Sequence, residues 1–161
     1  MSLNNLSVLA MAEGDMDRVW ALSERSLKIS EALKDTEGIA AAVHHLAEAA
    51  EAQGNIDEAV ALAEESLSLG RQLGDRRGSA MSQETLARLA VLRGEHADAR
   101  RWYGASLRTY LVLHDEAALA AVLAPLARFA AADGRPDLAL ALDGADGRRD
   151  DAVEAALAWL V

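Results

Sequence analysis

The stretch LAEAAEAQGNIDEAVALAEESL, Leu46 to Leu67, decides how this chain folds, because its pattern recurs in phase. It lies over LSVLAMAEGDMDRVWALSERSL from Leu6 to Leu27 and over LARLAVLRGEHADARRWYGASL from Leu86 to Leu107. Gly14, Gly54, Gly94 and Gly134 mark the period, each forty residues from the last. Self-similarity at a fixed period of about twenty to fifty residues is the signature of a repeat array. Val43, Leu46, Ala47 and Ala50 fall at i, i+3, i+4 and i+7, the apolar stripe of an amphipathic helix. The spacing predicts a helix from about Thr36 to Gln53, ended by Gly54, where the missing Cβ permits left-handed backbone. Asn55 reads as the N-cap of the next helix, with Glu58 completing a capping box. Ala59, Leu62, Ser66, Leu69 and Leu73 then share one face, and the helix stops near Gly74-Asp75. The unit is a helical hairpin.

The same reading extends outward. In the first unit Leu3, Leu6, Ser7 and Ala10 form the stripe, Asp15 caps after Gly14, and Val19, Leu22, Ser26, Ile29 and Leu33 follow. In the third, Leu86, Ala87 and Ala90 precede Gly94, and Ala99, Trp102, Ser106 and Leu113 come after it. Asp35, Asp75 and Asp115 recur at one turn and read as helix-start residues favoured by the macrodipole. Ser26, Ser66 and Ser106 recur where the packing needs a small residue, so they read as spacers and not as nucleophiles. The fourth unit departs from the pattern. Pro125 falls inside its first helix and should kink it or shift its start. Pro136 suits N1 of the next helix. LDGADGRRDD, Leu142 to Asp151, should interrupt that helix or end it early. Val153, Ala156, Leu157 and Leu160 stripe a final helix that caps the stack. The expected fold is an all-α superhelix in one domain. Its hairpins fall at about 1–35, 36–75, 76–115 and 116–148, with a terminal helix at about 150–160.

Composition agrees. Apolar residues are 52% of the 161 but aromatics only 4%, so alanine and leucine dominate, which suits closely packed helices. The absence of cysteine removes disulfides, thiolate zinc sites and cysteine nucleophiles together. A formal charge of −10 argues against a phosphate-binding surface, so no direct nucleic-acid contact is expected. The longest uncharged apolar stretch, Ala117 to Ala127, is too short to span a bilayer, so no membrane partner is expected. Without a secretory signal, the expected compartment is the cytoplasm.

Chemistry has few candidates. His44 and Glu48 share a helix face and could share a metal, but His45 points about 100° away, which spoils a three-ligand set. The bland alternative is a solvated or peptide-contacting pair. Asp143, Asp146, Asp150 and Asp151 lack the residue order of a calcium loop. With neither a triad nor a phosphate-binding loop, no enzyme, metal or cofactor is expected.

Leu46-Ala47, Ala50, Gly54, Ala59 and Ser66 resemble the tetratricopeptide repeat. Val43 stands where that consensus has tryptophan, Ala50 where it has tyrosine, and the period is forty residues instead of thirty-four. EESLSLGRQLGDRRGSAMSQETLARLAVLRGEHADAR (64–100) looks like repeats from the C-terminal sensor arrays of bacterial LuxR-type (MalT-like) and SARP-type transcriptional regulators. LAPLARFAAADGRPDLALALDGA (123–145) looks like the closing repeat of such arrays. The resemblance implies a non-catalytic arm that binds a protein or peptide along the face lined by the first helices. Transferred by position, the groove residues are Asn4, Asn5, His44, His45, Glu48, Glu51, Glu84, Arg88 and Arg128, with Val8, Met11 and Val91 beside them. The floor would be acidic, suited to a mixed-charge or basic peptide. A small-molecule or metal sensor built on His44 and Glu48 is the alternative. The chain opens directly inside a repeat, so either a longer array or a homodimer is expected, with Trp20, Tyr103 and Trp159 as candidate contacts.

Overall fold

The computed structural model describes residues 2–144 and 149–161. These form helices α1 (Leu3–Ala12), α2 (Met16–Leu33), α3 (Thr36–Ala52), α4 (Ile56–Leu73), α5 (Arg76–Arg93), α6 (His96–Leu113), α7 (Glu116–Ala132), α8 (Pro136–Asp143) and α9 (Arg149–Trp159). Helices α1, α3, α5 and α7 each pair with the even helix that follows. Successive odd helices, α1 to α3, α3 to α5 and α5 to α7, also touch one another. Helices α1, α3, α5 and α7 therefore make the inner layer of a superhelix and α2, α4, α6 and α8 its outside, with α9 packed against α8 and α6.

The turns explain the period. At each turn between paired helices a glycine is left-handed: φ is 75° at Gly14, 80° at Gly54, 74° at Gly94 and 78° at Gly134. The next N–H then reaches back five residues: Asp15 to the Ala10 carbonyl and Asn55 to that of Ala50, both at 2.9 Å, and likewise later in the chain. That bond satisfies a carbonyl the helix end would leave orphaned. Alanine at 10, 50, 90 and 130 is buried just before the turn, and Val19, Ala59 and Ala99 are buried just after it. Small side chains there let the paired helices close up. At the other turn the carboxylates of Asp35, Asp75 and Asp115 accept from the backbone N–H three residues on, at 2.9–3.0 Å. Those aspartates are caps.

Several local expectations need correction. Asn55 occupies the N-cap of α4 but its side chain makes no capping bond, so the predicted box is not built. Asp57 and Glu58 in the first turn face the helix dipole instead. Pro125 lies within α7 without displacing its start, which is fixed at Glu116 by the Asp115 cap. Burial of Leu119, Val122, Leu126 and Phe129 holds that helix across the lost donor. Helix α8 does end early, at Asp143, with Pro136 in its first turn. Residues 145–148, Asp146 among them, lie outside the described residues, while Asp150 and Asp151 open α9.

Tyr103 is not a surface contact. It is 1% exposed and stacks on Phe129 at 5.7 Å between ring centroids, with Trp159 at 5.1 Å on the same phenylalanine. This aromatic group anchors α9 against α6 and α7. Trp20 is half-buried against the small cores of the first two hairpins. The recurring serines are buried and paired: Ser26 donates to the Asn4 side-chain oxygen at 2.7 Å, Ser66 accepts from Ser82 at 3.0 Å, and Ser106 donates to the Tyr103 carbonyl at 3.0 Å.

Candidate functional site

Six of the predicted groove residues converge where α3 and α5 lie side by side. Helix α3 carries His44, Glu48 and Glu51, four and three residues apart along its inward side, with His45 next to His44, and α5 answers with Glu84 and Arg88. The Arg88 guanidinium is the hub. Its Nε and Nη2 donate to Glu51 at 3.0 and 2.8 Å, a forked pairing. Its Nη1 donates to Glu84 at 3.3 Å and its Nη2 to Thr85 at 3.2 Å, while Glu48 stands 4.0 Å away. Tyr110, on α6, donates its hydroxyl to the other oxygen of Glu84 at 3.0 Å.

Three carboxylates thus share one guanidinium, all partly shielded: side-chain exposure is 24% for Glu48, 18% for Glu51 and 14% for Glu84. Burial pushes the Glu48 and Glu84 carboxyls above the usual range, and Arg88 only partly offsets it. Burial would also lower Arg88, but the hydrogen bonds and charge of Glu51, with Glu84 and Glu48, more than reverse that and hold it charged.

His44 is neither solvated nor paired, while His45 is only partly buried. His44 is buried, and both ring nitrogens lack a hydrogen-bond partner; its Nε2 lies 3.6 Å from Glu48, beyond bonding distance. Burial, reinforced by Arg88, lowers it to about 4, so the ring is neutral near pH 7. Burial lowers His45 as well, with its ring 6.0 Å from that of His44.

His44 separates two cavities. One, of about 390 Å³, lies between α3, α4 and α5 and is lined by Ala40, Ala41, Ser66, Gly70, Leu73 and Met81 beside the two histidines. The other, of about 270 Å³, lies between α3, α5 and α7, with Glu48, Glu84, Arg88 and Tyr110 around it and Ala117, Ala118 and Ala121 beyond. Arg77 borders both and is tied to Asp115 at 2.6 Å. Among the described residues no three His, Asp or Glu side chains gather as metal ligands.

The remaining predicted residues stand apart. Asn4, on α1, accepts from Ser26 at 2.7 Å and so fastens its own hairpin; Asn5 is exposed one residue on. Arg128 is exposed on α7. Sequence reasoning missed Tyr110, Thr85 and Gly70. The available signal was positional, since Ser30, Gly70 and Tyr110 occupy one phase of the repeat with three very different side chains.

No described helix is long and apolar enough to cross a membrane. Residues 38–111 match the tetratricopeptide repeat family, a segment that contains the whole Arg88 cluster. No curated protein sequence matches the chain. Among solved structures, the nearly identical TPR-like repeats of a candidate kinesin light chain from Podosopora anserina superpose with a TM-score of 0.69 at 22% identity. The alignment covers 99% of this chain and 83% of that one. A variant of the same repeats gives 0.69 at 21% identity, with the same coverage. At such identity the likeness speaks to fold. Repeats of this kind generally serve as non-catalytic scaffolds for protein partners. The chain folds as a tetratricopeptide-like α-α superhelix, and its second and third hairpins carry the repeat sequence itself.

Proposed function

We propose that this chain is a protein-binding scaffold whose inner face takes a basic segment of a partner. The observation behind the reading is the charge imbalance around Arg88: Glu48, Glu51 and Glu84 supply three carboxylates against one guanidinium. Glu48 is the least satisfied, without a hydrogen bond to Arg88 or His44. A lysine or arginine laid against α3 and α5 would complete the set, and the rigid stacking of hairpins keeps the ordering cost low. The wider setting we infer, from the likeness of residues 64–100 to regulator arrays, is the sensing arm of a bacterial cytoplasmic transcriptional regulator.

Fluorescence anisotropy with labelled extended peptides, matched in length and alternating Lys-Ala or Glu-Ala, tests the charge reading. The basic peptide should bind at least about tenfold tighter, with affinity falling as salt rises. Glu48→Lys should remove that preference while leaving the helical spectrum unchanged. Equal binding of the two peptides, or an unaffected variant, would reject the inner face as the site.

A further inference from the structure

The repeat carries its own comparison. Position 110 holds Tyr110, 1% exposed, whose hydroxyl donates to Glu84 at 3.0 Å. One period earlier the corresponding residues are Gly70 and His44. The glycine brings no ring, and the imidazole that stands where Glu84 stands is left with both nitrogens unpaired. Helices α4 and α5 have closed in on the backbone of Gly70, where an added Cβ would lie 2.8 Å from Ser79 Oγ. The space further in has not closed. It is the cavity of about 390 Å³ beside His44, within the range of small-ligand sites.

Walls and polar group together define an occupant. Ala40, Ala41, Leu73 and Met81 offer apolar contact for a flat ring, and Glu37, Asp75 and Arg77 also line the cavity. A side chain only 9% exposed and without a partner is costly, so a group that bonds to it is favoured over an apolar one of the same shape. We propose that this cavity binds a phenolic ring, free or as the tyrosine side chain of a partner, whose hydroxyl donates to His44 as Tyr110 donates to Glu84. The cavity carries this proposal by itself, so it can fail while the basic-peptide reading stands, and the reverse.

The test is an NMR titration of the full chain with p-cresol, toluene and N-acetyl-tyrosinamide. Saturable shifts at the Ala40, Ala41 and Met81 methyls and at the His44 ring nitrogens are expected with p-cresol, roughly tenfold tighter than with toluene. In His44→Phe the two should bind within about twofold of each other. Ala41→Leu, which narrows the cavity and leaves the imidazole in place, should weaken both. Displacement of p-cresol by N-acetyl-tyrosinamide would assign the site to a tyrosine side chain; exclusion of the amide with p-cresol still bound would assign it to a free phenol. Equal affinity for p-cresol and toluene, shifts elsewhere on the molecule, or no saturation would overturn the proposal.

Discussion

His44 makes the chain's stability depend on pH, with a sign and size that follow from its position. Its side chain is 9% exposed, so bulk solvent does little to screen it. Its folded-state value is lowered from 6.5 to about 4, first by burial and then by Arg88 on α5, with Glu51 acting in the opposite sense. The groups facing it are Glu48 at 3.6 Å and His45 on its own helix, and Arg88 across the interface. A histidine depressed in the folded state binds fewer protons there than when unfolded. Its contribution is therefore complete above about pH 6.5 and drains away as the pH falls toward 4. Integrating that difference gives a loss of about 2 kcal/mol by about pH 5 and about 3 kcal/mol by about pH 4. For a chain of this size 2 kcal/mol corresponds to roughly 4–8 °C in melting temperature. Glu48 and Glu84, whose carboxyls are raised, act with the opposite sign: they favour the folded state at low pH and lose that advantage as the pH climbs through their folded values. The assay is therefore a difference. Thermal melts of wild type and His44→Gln at about pH 7.5 and about pH 5 should show the wild type losing about 2 kcal/mol more than the variant. Parallel losses in the two proteins would mean that the buried imidazole is not held neutral, and the reasoning would fail.

Two further expectations concern stability alone. Arg88→Leu leaves Glu48, Glu51 and Glu84 without their shared cation, and should cost about 3 kcal/mol by urea denaturation, the low end for breaking a buried ion pair. Adding Glu51→Gln to that variant should recover part of the loss, because it removes the charge that the guanidinium held in a fork. Lys34 and His114 adopt left-handed backbone, φ 55° and 52°, at the turn position where the second unit has Gly74. Lys34→Gly and His114→Gly should each stabilise by about 0.5–1 kcal/mol in the same assay. Gly74→Ala should destabilise by a similar amount.

How far the sequence could be read depended on whether a feature is local. The turns were legible because the physics that sets them acts within five residues. A glycine at Gly54 and a carboxylate at Asp75 have the same consequence in almost any helical hairpin. Asn55 shows the limit even there: its type suits an N-cap, yet its side chain makes no bond, and type alone does not fix a rotamer. Tyr103 shows a second limit. In an alanine-rich chain an aromatic such as Tyr103 could equally fill a core or cover an interface, and only its stacking on Phe129, with Trp159 of α9 on the same ring, distinguishes them.

Six of the nine expected groove residues lie together in the structure, but how they pair was not legible in the sequence. The resemblance to the repeat family put His44, Glu48, Glu51, Glu84 and Arg88 on one face, and helical periodicity with the order of the hairpins agrees with that placement. That Arg88 forks onto Glu51 and leaves Glu48 unpaired depends on the offset between α3 and α5, which no single helix encodes. That offset is itself a product of the sequence in phase. With glycine at 70, α4 draws close to α5; with tyrosine at 110, a ring stands between its own helix and Glu84. One phase of the repeat thus sets both the spacing of neighbouring hairpins and the pairing of the polar group they enclose. A comparison of units within the chain, position against position, reveals what a comparison of each unit with a consensus hides. The residues that differ between otherwise matching hairpins are where the structure holds a cavity and an unpaired imidazole, and that is where a ligand has something to gain.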